Sequence, residues 1–254
     1  MASIGILGAS TGKTPSISVI IPALNEAGRI GEVLDHVLTE PGVEAIVADG
    51  GSRDDTRLIA HERGARVVSS PAGRGQQMNI GAAIASGEIL VFLHADTILP
   101  GGYAGVIKEI LADSRVVAGA FTFRLDLSTP LLRLTEIGAN LRSRWLSLPF
   151  GDQALFLRAR TFRQTGGFQS YPIMEDVEFV CRLRKLGKIR IANEAIVTSA
   201  RLWQQVGPLK VMTLHAFALT AYQLGFSVER IHMLLRWGGY FNRNGNQPLV
   251  GRTV

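Results

Sequence analysis

Short apolar runs alternate with amphipathic segments through the first half of the chain. Strands are predicted at residues 17–21, 43–48, 66–68 and 88–93, and helices at 27–38, 54–63 and 76–85. That alternation is the pattern of βαβ units and of a mostly parallel sheet. Polar or glycine-bearing residues follow three of the strands: Pro22-Ala23-Leu24-Asn25-Glu26, Asp49-Gly50-Gly51-Ser52 and His94-Ala95-Asp96. Ligands of open α/β sheets bind outside the carboxyl ends of the strands, so the three clusters are expected to converge.

The second half is less regular. Residues 116–123 and 153–158 read as strands, and 131–146 and 177–186 as helices. After Pro208 come two further helical stretches, 209–224 and 228–237, with Gly225 as a stop between them. The first is apolar on nearly every side, interrupted by Lys210, His215 and Gln223, and is too short to span a bilayer. Packing in the core or in a homodimer interface is the reading set against a membrane role for it. The chain thus divides into a flexible leader at 1–15, an α/β half at 16–123, a second half at 124–207 and a helical extension at 208–254.

With 254 residues, 46% of them hydrophobic, the chain is long enough for one globular body with sub-lobes. The single cysteine, Cys181, excludes an intrachain disulfide and reads as an inert buried thiol. No basic region precedes the short apolar patch at the start, so a cytoplasmic protein is expected. GASTGKT at 8–14 imitates a phosphate-binding loop, but Leu7 stands where the first glycine belongs, and Pro15 and a strand follow instead of a helix.

Charge changes the picture. Residues 1–123 hold 9 Lys and Arg against 13 Asp and Glu, residues 124–190 hold 12 against 6, and residues 191–254 hold 6 against 2. A basic half suits nucleic acid, anionic membrane or phosphorylated ligands. No helix-turn-helix, RNA-binding or zinc-finger signature is present, so no nucleic-acid partner is expected. Acceptors at a membrane surface, including lipid-linked ones reached by peripheral contact with the inner face, fit the basic half.

Three motifs carry chemistry. Asp49 to Thr56 follows a buried strand and opens a helix: its glycines let a ligand approach the backbone, and Asp49 can accept from a base or a ribose hydroxyl. A tight turn with a capped helix explains the same residues. His94-Ala95-Asp96 ends a buried strand where an acid could share a divalent metal with a diphosphate; a turn or cap is the bland reading. Glu175 and Asp176 open a helix, as favourable charge at its N-terminus or as a general base.

In order and spacing, IIPALNE at 20–26, ADGGSRDDT at 48–56, Asn79-Ile80-Gly81, Leu93-His94-Ala95-Asp96 and Glu175-Asp176 resemble the motifs of family 2 glycosyltransferases. Within that family GRGQQMNIGA, FLHADT, FGDQALF and TSARLW look closest to a bacterial subgroup of uncharacterised glycosyltransferase-like proteins. The resemblance covers roughly residues 16–200. It implies a GT-A fold, a single Rossmann-like nucleotide-binding domain with an acceptor-side sub-lobe, binding a nucleoside diphosphate sugar and passing the sugar with inversion to an acceptor hydroxyl. Residues 16–123 would be the nucleotide-sugar half and 124–207 the acceptor and catalytic half.

Carried over by residue, Pro22, Ala23, Leu24, Asn25, Glu26, Asp49, Gly50, Arg74, Gln77, Asn79, His94 and Ala95 would bind the donor. Asp96 would hold Mn²⁺ or Mg²⁺. Asp176 would be the base, with Glu175 beside it and Asp152 near the donor sugar or acceptor. Gln153, Arg201 and Trp203 would meet the acceptor or the diphosphate. His94 stands where the family usually has a second Asp. The change removes one negative charge and one hard oxygen ligand, which tilts a metal site toward Mn²⁺ or leaves an imidazole to hydrogen-bond phosphate. A sugar-phosphate nucleotidyltransferase and a non-catalytic nucleotide-binding member are the alternatives; the former usually carries a glycine-rich signature where this chain reads PALNEAG.

Overall fold

The structure, a computed structural model, describes residues 16–240. The predicted leader, the GASTGKT segment and the last part of the extension lie outside the described residues.

The first half runs β1 (Ile17–Ala23), α1 (Ala27–Val37), β2 (Val43–Asp49), α2 (Thr56–Glu62), β3 (Arg66–Ser69), α3 (Arg74–Ile84) and β4 (Ile89–Phe92). It continues with β5 (Thr97–Ile98), α4 (Tyr103–Ala112), β6 (Val116–Thr122) and α5 (Pro130–Leu146). Then come a 3₁₀ turn at Gly151–Gln153, β7 (Leu155–Arg158), α6 (Ala159–Thr165), α7 (Glu175–Arg184), β8 (Lys188–Ala195), β9 (Val197–Thr198), α8 (Arg201–Val206), α9 (Pro208–Gln223) and α10 (Val228–Trp237).

Seven strands form one sheet in the order β3-β2-β1-β4-β7-β6-β8. β3, β2, β1 and β4 are parallel, β7 runs antiparallel to both its neighbours, and β6 and β8 pair in parallel. Every residue of β1 is buried, as expected of a central strand covered on both faces. Ile17, Val19 and Ile21 point to a core built with α1 and α4, whereas Ile20 points to a second core. The second is rich in aromatic contacts: Phe168 meets Phe92 edge-on at 4.8 Å and lies 4.4 Å from Phe179.

Gly81 sets how closely α3 lies on β1. A Cβ there would stand 2.5 Å from Ile20 Cγ2, and Ile20 is fully buried. Ala favours a helix over Gly by about 1 kcal/mol, but overpacking a core costs about 1–3 kcal/mol. Gly81→Ala is therefore expected to lower stability, read as a lower urea midpoint; a raised midpoint would show that α3 is free to shift.

The structure departs from the sequence expectation at several points. The strand predicted from 153 begins at Leu155, because Gly151–Gln153 form a 3₁₀ turn and Ala154 sits at φ +50°. The sequence pattern predicts no element between 93 and 116, yet α4 forms there with Tyr103 and Ile107 in the core.

Candidate active site

The loops after β1 and β2 are tied to each other. Asn25 takes a left-handed φ of +57°, a conformation Asn tolerates better than most residues. Its amide oxygen accepts from the Arg53 N–H at 2.9 Å, and its own N–H donates to Ser52 Oγ at 2.9 Å. The N–H groups that open α1 are taken up by the other loop: Glu26 N–H donates to Thr56 Oγ1 and Ala27 N–H to Asp54. Asp49 is buried and accepts from the N–H groups of Gly51 and Ser52, both at 3.1 Å. From α3, Gln77 donates to the carbonyls of Ala23 and Ala48 at 2.9 and 2.8 Å, clamping the ends of β1 and β2. Gly50 is packed against that amide, and a Cβ there would lie 3.1 Å from Gln77 Nε2.

Above this floor lies a cleft of about 320 Å³, lined by Pro22, Ala23, Leu24, Glu26, Gln77 and the end of β4 at His94, Ala95 and Asp96. The short pairing of β5 with β9 brings the start of α8 across to β4. Arg201 Nη2 thereby reaches Glu26 at 2.9 Å and Asp96 at 3.2 Å. Burial pushes the Glu26 carboxyl up, and the Arg201 guanidinium opposes that shift. His94 is held neutral: burial first, and then the charge of Arg74, push its imidazole down to about 4. Arg74, its side chain 41% exposed, stands 3.7 Å from Glu175.

The start of α7 also lines the cleft. Met174 takes φ +63° and turns the chain so that Asp176 faces the cleft. Asp176 Oδ2 accepts from the Gly151 N–H at 2.6 Å and Oδ1 from its neighbour Val177 N–H at 2.8 Å. A Cβ on Gly151 would come within 3.2 Å of Asp176 Oδ2 and 3.3 Å of His94 Nε2, so the glycine lets both groups stand beside the 3₁₀ turn. Glu175 is 4% exposed, and burial raises its pKa.

Asp152 also lines the cleft, its Oδ1 buried without a hydrogen-bond partner among the described residues. Burial pushes its carboxyl up to about 6. A carboxyl raised in the folded state stabilises fully below its unfolded value near 4, and that contribution is lost as pH rises through about 6. Asp152→Asn is accordingly expected to be more stable than wild type above pH 6, by at most about 2–3 kcal/mol, with the gain shrinking toward pH 4. Urea midpoints measured across that range check it; a gain independent of pH would contradict it.

Not every expected residue reaches the cleft. Gln153 is fully buried and donates to the Phe121 carbonyl at 2.9 Å and to Ser143 Oγ at 3.2 Å. Asn79 donates to the Phe168 carbonyl and accepts from the Phe168 N–H. The amides of both are spent on the protein interior, and neither residue lines the cleft. Asn25, Asp49 and Gly50 shape the loops around the floor.

Sequence reasoning missed the far end of the cleft, where α9 and α10 contribute His215, Ala218 and Leu235 and the chain returns with Tyr240. His215 Nε2 lies 2.8 Å from the Tyr240 hydroxyl and its ring 5.8 Å from that of Trp203, the one predicted acceptor-side residue lining this end. Burial, then the charge of Arg142, pushes His215 down to about 4. Arg142 itself stacks 3.3 Å from the centre of the Phe150 ring, a contact no local motif announces.

The family model described as glycosyl transferase family 2 matches residues 18–174. The chain belongs to this family. Glucosyl-3-phosphoglycerate synthase of Mycobacterium tuberculosis (strain ATCC 25618 / H37Rv) is 41% identical over 104 residues, 36% of this chain and 32% of that protein. The match spans about a third of the length of that relative. Glycosyltransferase GlyG of Streptococcus pneumoniae is 23% identical over 238 residues, covering 89% of this chain and 73% of GlyG.

Among solved structures, the Mycobacterium tuberculosis synthase in complex with Mn²⁺ and UDP-glucose superposes with a TM-score of 0.60 at 24% identity, covering 84% of this chain and 80% of that one. The mannosyltransferase PcManGT of Pyrobaculum calidifontis, in complex with GDP-Man and Mn²⁺, gives 0.61 at 18% identity over 89% and 72%. The expected GT-A fold is thereby confirmed for this member of the family.

Among the described residues no three His, Cys, Asp or Glu side chains converge to cage an ion. Asp96 and Glu26, which share the Arg201 guanidinium, fit an ion held by one or two carboxylates with the rest of its shell from a ligand's phosphates and water.

Proposed function

We propose that this family 2 member is an inverting glycosyltransferase that takes a sugar from a nucleoside diphosphate sugar and passes it to an acceptor hydroxyl. The observation that carries the proposal is the placement of Asp176, oriented by two N–H groups, in one cleft with Glu26 and Asp96, which hold Arg201. Residues 16–123 hold the donor, residues 124–207 supply the base and the acceptor side, and the helices from 208 onward close the far end.

Pro22, Ala23, Leu24 and Gln77 form the donor wall, and the cations Arg201 and Arg74 meet the diphosphate. When bound at Asp96, Mn²⁺ or Mg²⁺ supplies further charge neutralisation for the leaving diphosphate. The acceptor oxygen attacks the anomeric carbon on the face opposite the diphosphate, the bond to the diphosphate oxygen breaks with its electron pair, and the acceptor proton passes to Asp176. Attack from the opposite face inverts the anomeric centre. Burial and the charge of Arg74 keep His94 neutral beside Asp176, and the cations stabilise the charge that grows on the leaving group.

A thermal-shift panel of nucleoside diphosphates and their sugars, with and without Mn²⁺ or Mg²⁺, tests donor binding, since a ligand that binds only the folded state raises its stability by mass action. One nucleotide is expected to give a metal-enhanced shift, and its sugar conjugate to give a product of inverted anomeric configuration by NMR. Retention of configuration would overturn the mechanism; binding without turnover on any acceptor or water would favour a non-catalytic member.

A further inference from the structure

Three helices of the second half expose large apolar residues, Leu209 and Phe217 on α9 among them, beside those they bury. Leu134, Ile137, Leu141 and Trp145 recur at helical spacing along α5 and are all exposed, Trp145 at 80%. α5 packs on α9, and α9 on α10. On α10, Met233, Leu234 and Trp237 are exposed in the same way, Trp237 at 84%. Scattered surface leucines need no explanation, but rows of them with two bare indoles on adjoining helices mark an interaction surface.

The charge around these rows limits what can cover them. Arg144 on α5, Lys210 on α9 and Arg230 and Arg236 on α10 are exposed, and on the exposed sides of these three helices Glu229 is the acid set against them. Glu136 of α5 is buried and bound by Arg133. In a two-fold dimer the same patch meets itself, so these cations would face one another. Residues 241–254 carry Arg243 and Arg252 and no acid, so that segment would add like charge as well. An anionic occupant is favoured, and Trp with Lys and Arg beside an apolar row is the composition that settles at the boundary of headgroups and acyl chains.

We propose that the exposed face of α5, α9 and α10 docks peripherally on a bilayer bearing anionic lipid. No helix among the described residues is long and apolar enough to cross a membrane, so the contact is superficial. α9 and α10 also line the cleft through His215, Ala218 and Leu235, so docking holds against the lipid the helices that close the far end of the cleft.

The test is co-sedimentation of the full chain with phosphatidylcholine vesicles, with and without phosphatidylserine, at low and high salt. Binding is expected to the anionic vesicles alone, with each exposed cation contributing about fivefold in partitioning and the whole effect weakened by salt. The double variant Trp145→Ser and Trp237→Ser should bind about tenfold or more weakly with an unchanged melting temperature, because both indoles are exposed. Absence of sedimentation at low salt overturns the proposal. So does a dimer by light scattering that the same substitutions dissociate, which would assign the face to a second copy of the chain. If deletion of 241–254 is needed before vesicles bind, the tail covers the face and the proposal fails for the intact protein.

Discussion

Asp176→Asn is expected to reduce turnover about 10³-fold while leaving donor affinity within a few-fold of wild type. General bases contribute roughly 10²- to 10⁴-fold, and an amide fills the same space, its oxygen accepting from one of the Gly151 and Val177 N–H groups while its NH2 leaves the other unpaired. The loss should sit in kcat rather than in KM, because proton removal belongs to the transition state and not to donor binding. Steady-state kinetics with the nucleotide sugar identified by the binding panel provides the measurement. Activity within tenfold of wild type would transfer the base's role elsewhere, with Asp152, in the same cleft and pushed up to about 6, as the next carboxylate to replace.

A related substitution separates position from chemistry. Gly151→Ala keeps every charge, but its Cβ meets Asp176 Oδ2 and His94 Nε2 at 3.2 and 3.3 Å. A shift of a few tenths of an ångström in the base is enough to cost roughly tenfold or more in kcat, with little change in melting temperature. Unchanged kcat would mean that the Asp176 carboxylate tolerates the displacement.

The donor side of this architecture was legible because its signals are local. β1, β2 and β4 are continuous apolar runs ending in polar clusters, and a parallel sheet places such ends side by side. The acceptor side was less legible because its contacts are distant in sequence. β8, at the edge of the sheet, carries Lys188, Arg190 and Glu194 among the buried Ile189 and Ala192, so it lacks the apolar run that announces an inner strand. Gln153 and Asn79 sit inside motifs shared with ligand-binding residues, and only the fold reveals that their amides hold the backbone of Phe121 and Phe168. The His215 and Tyr240 pair forms across a helix turn and a chain reversal, a juxtaposition that spacing alone does not encode.

Asp96→Ala should abolish the metal-dependent part of nucleotide binding, about a hundredfold in affinity with Mn²⁺ present, and leave metal-free binding nearly unchanged. Asp96 shares Arg201 with Glu26, so its removal leaves the guanidinium held by Glu26 and still in place to meet the diphosphate. Arg201→Ala has the opposite signature. Two partly buried carboxylates then face each other without their cation, which favours divalent metal at Glu26 and Asp96 while the diphosphate loses a positive partner. Titration calorimetry of Mn²⁺ alone, and of the nucleoside diphosphate with and without Mn²⁺, distinguishes the two variants. Arg201→Lys serves as the control, keeping the charge but not the planar fork that bridges two carboxylates. If Asp96→Ala and Arg201→Ala weaken metal-free nucleotide binding equally, the pair acts only as a structural ion bridge between β4 and α8, and the metal site must be sought elsewhere in the cleft.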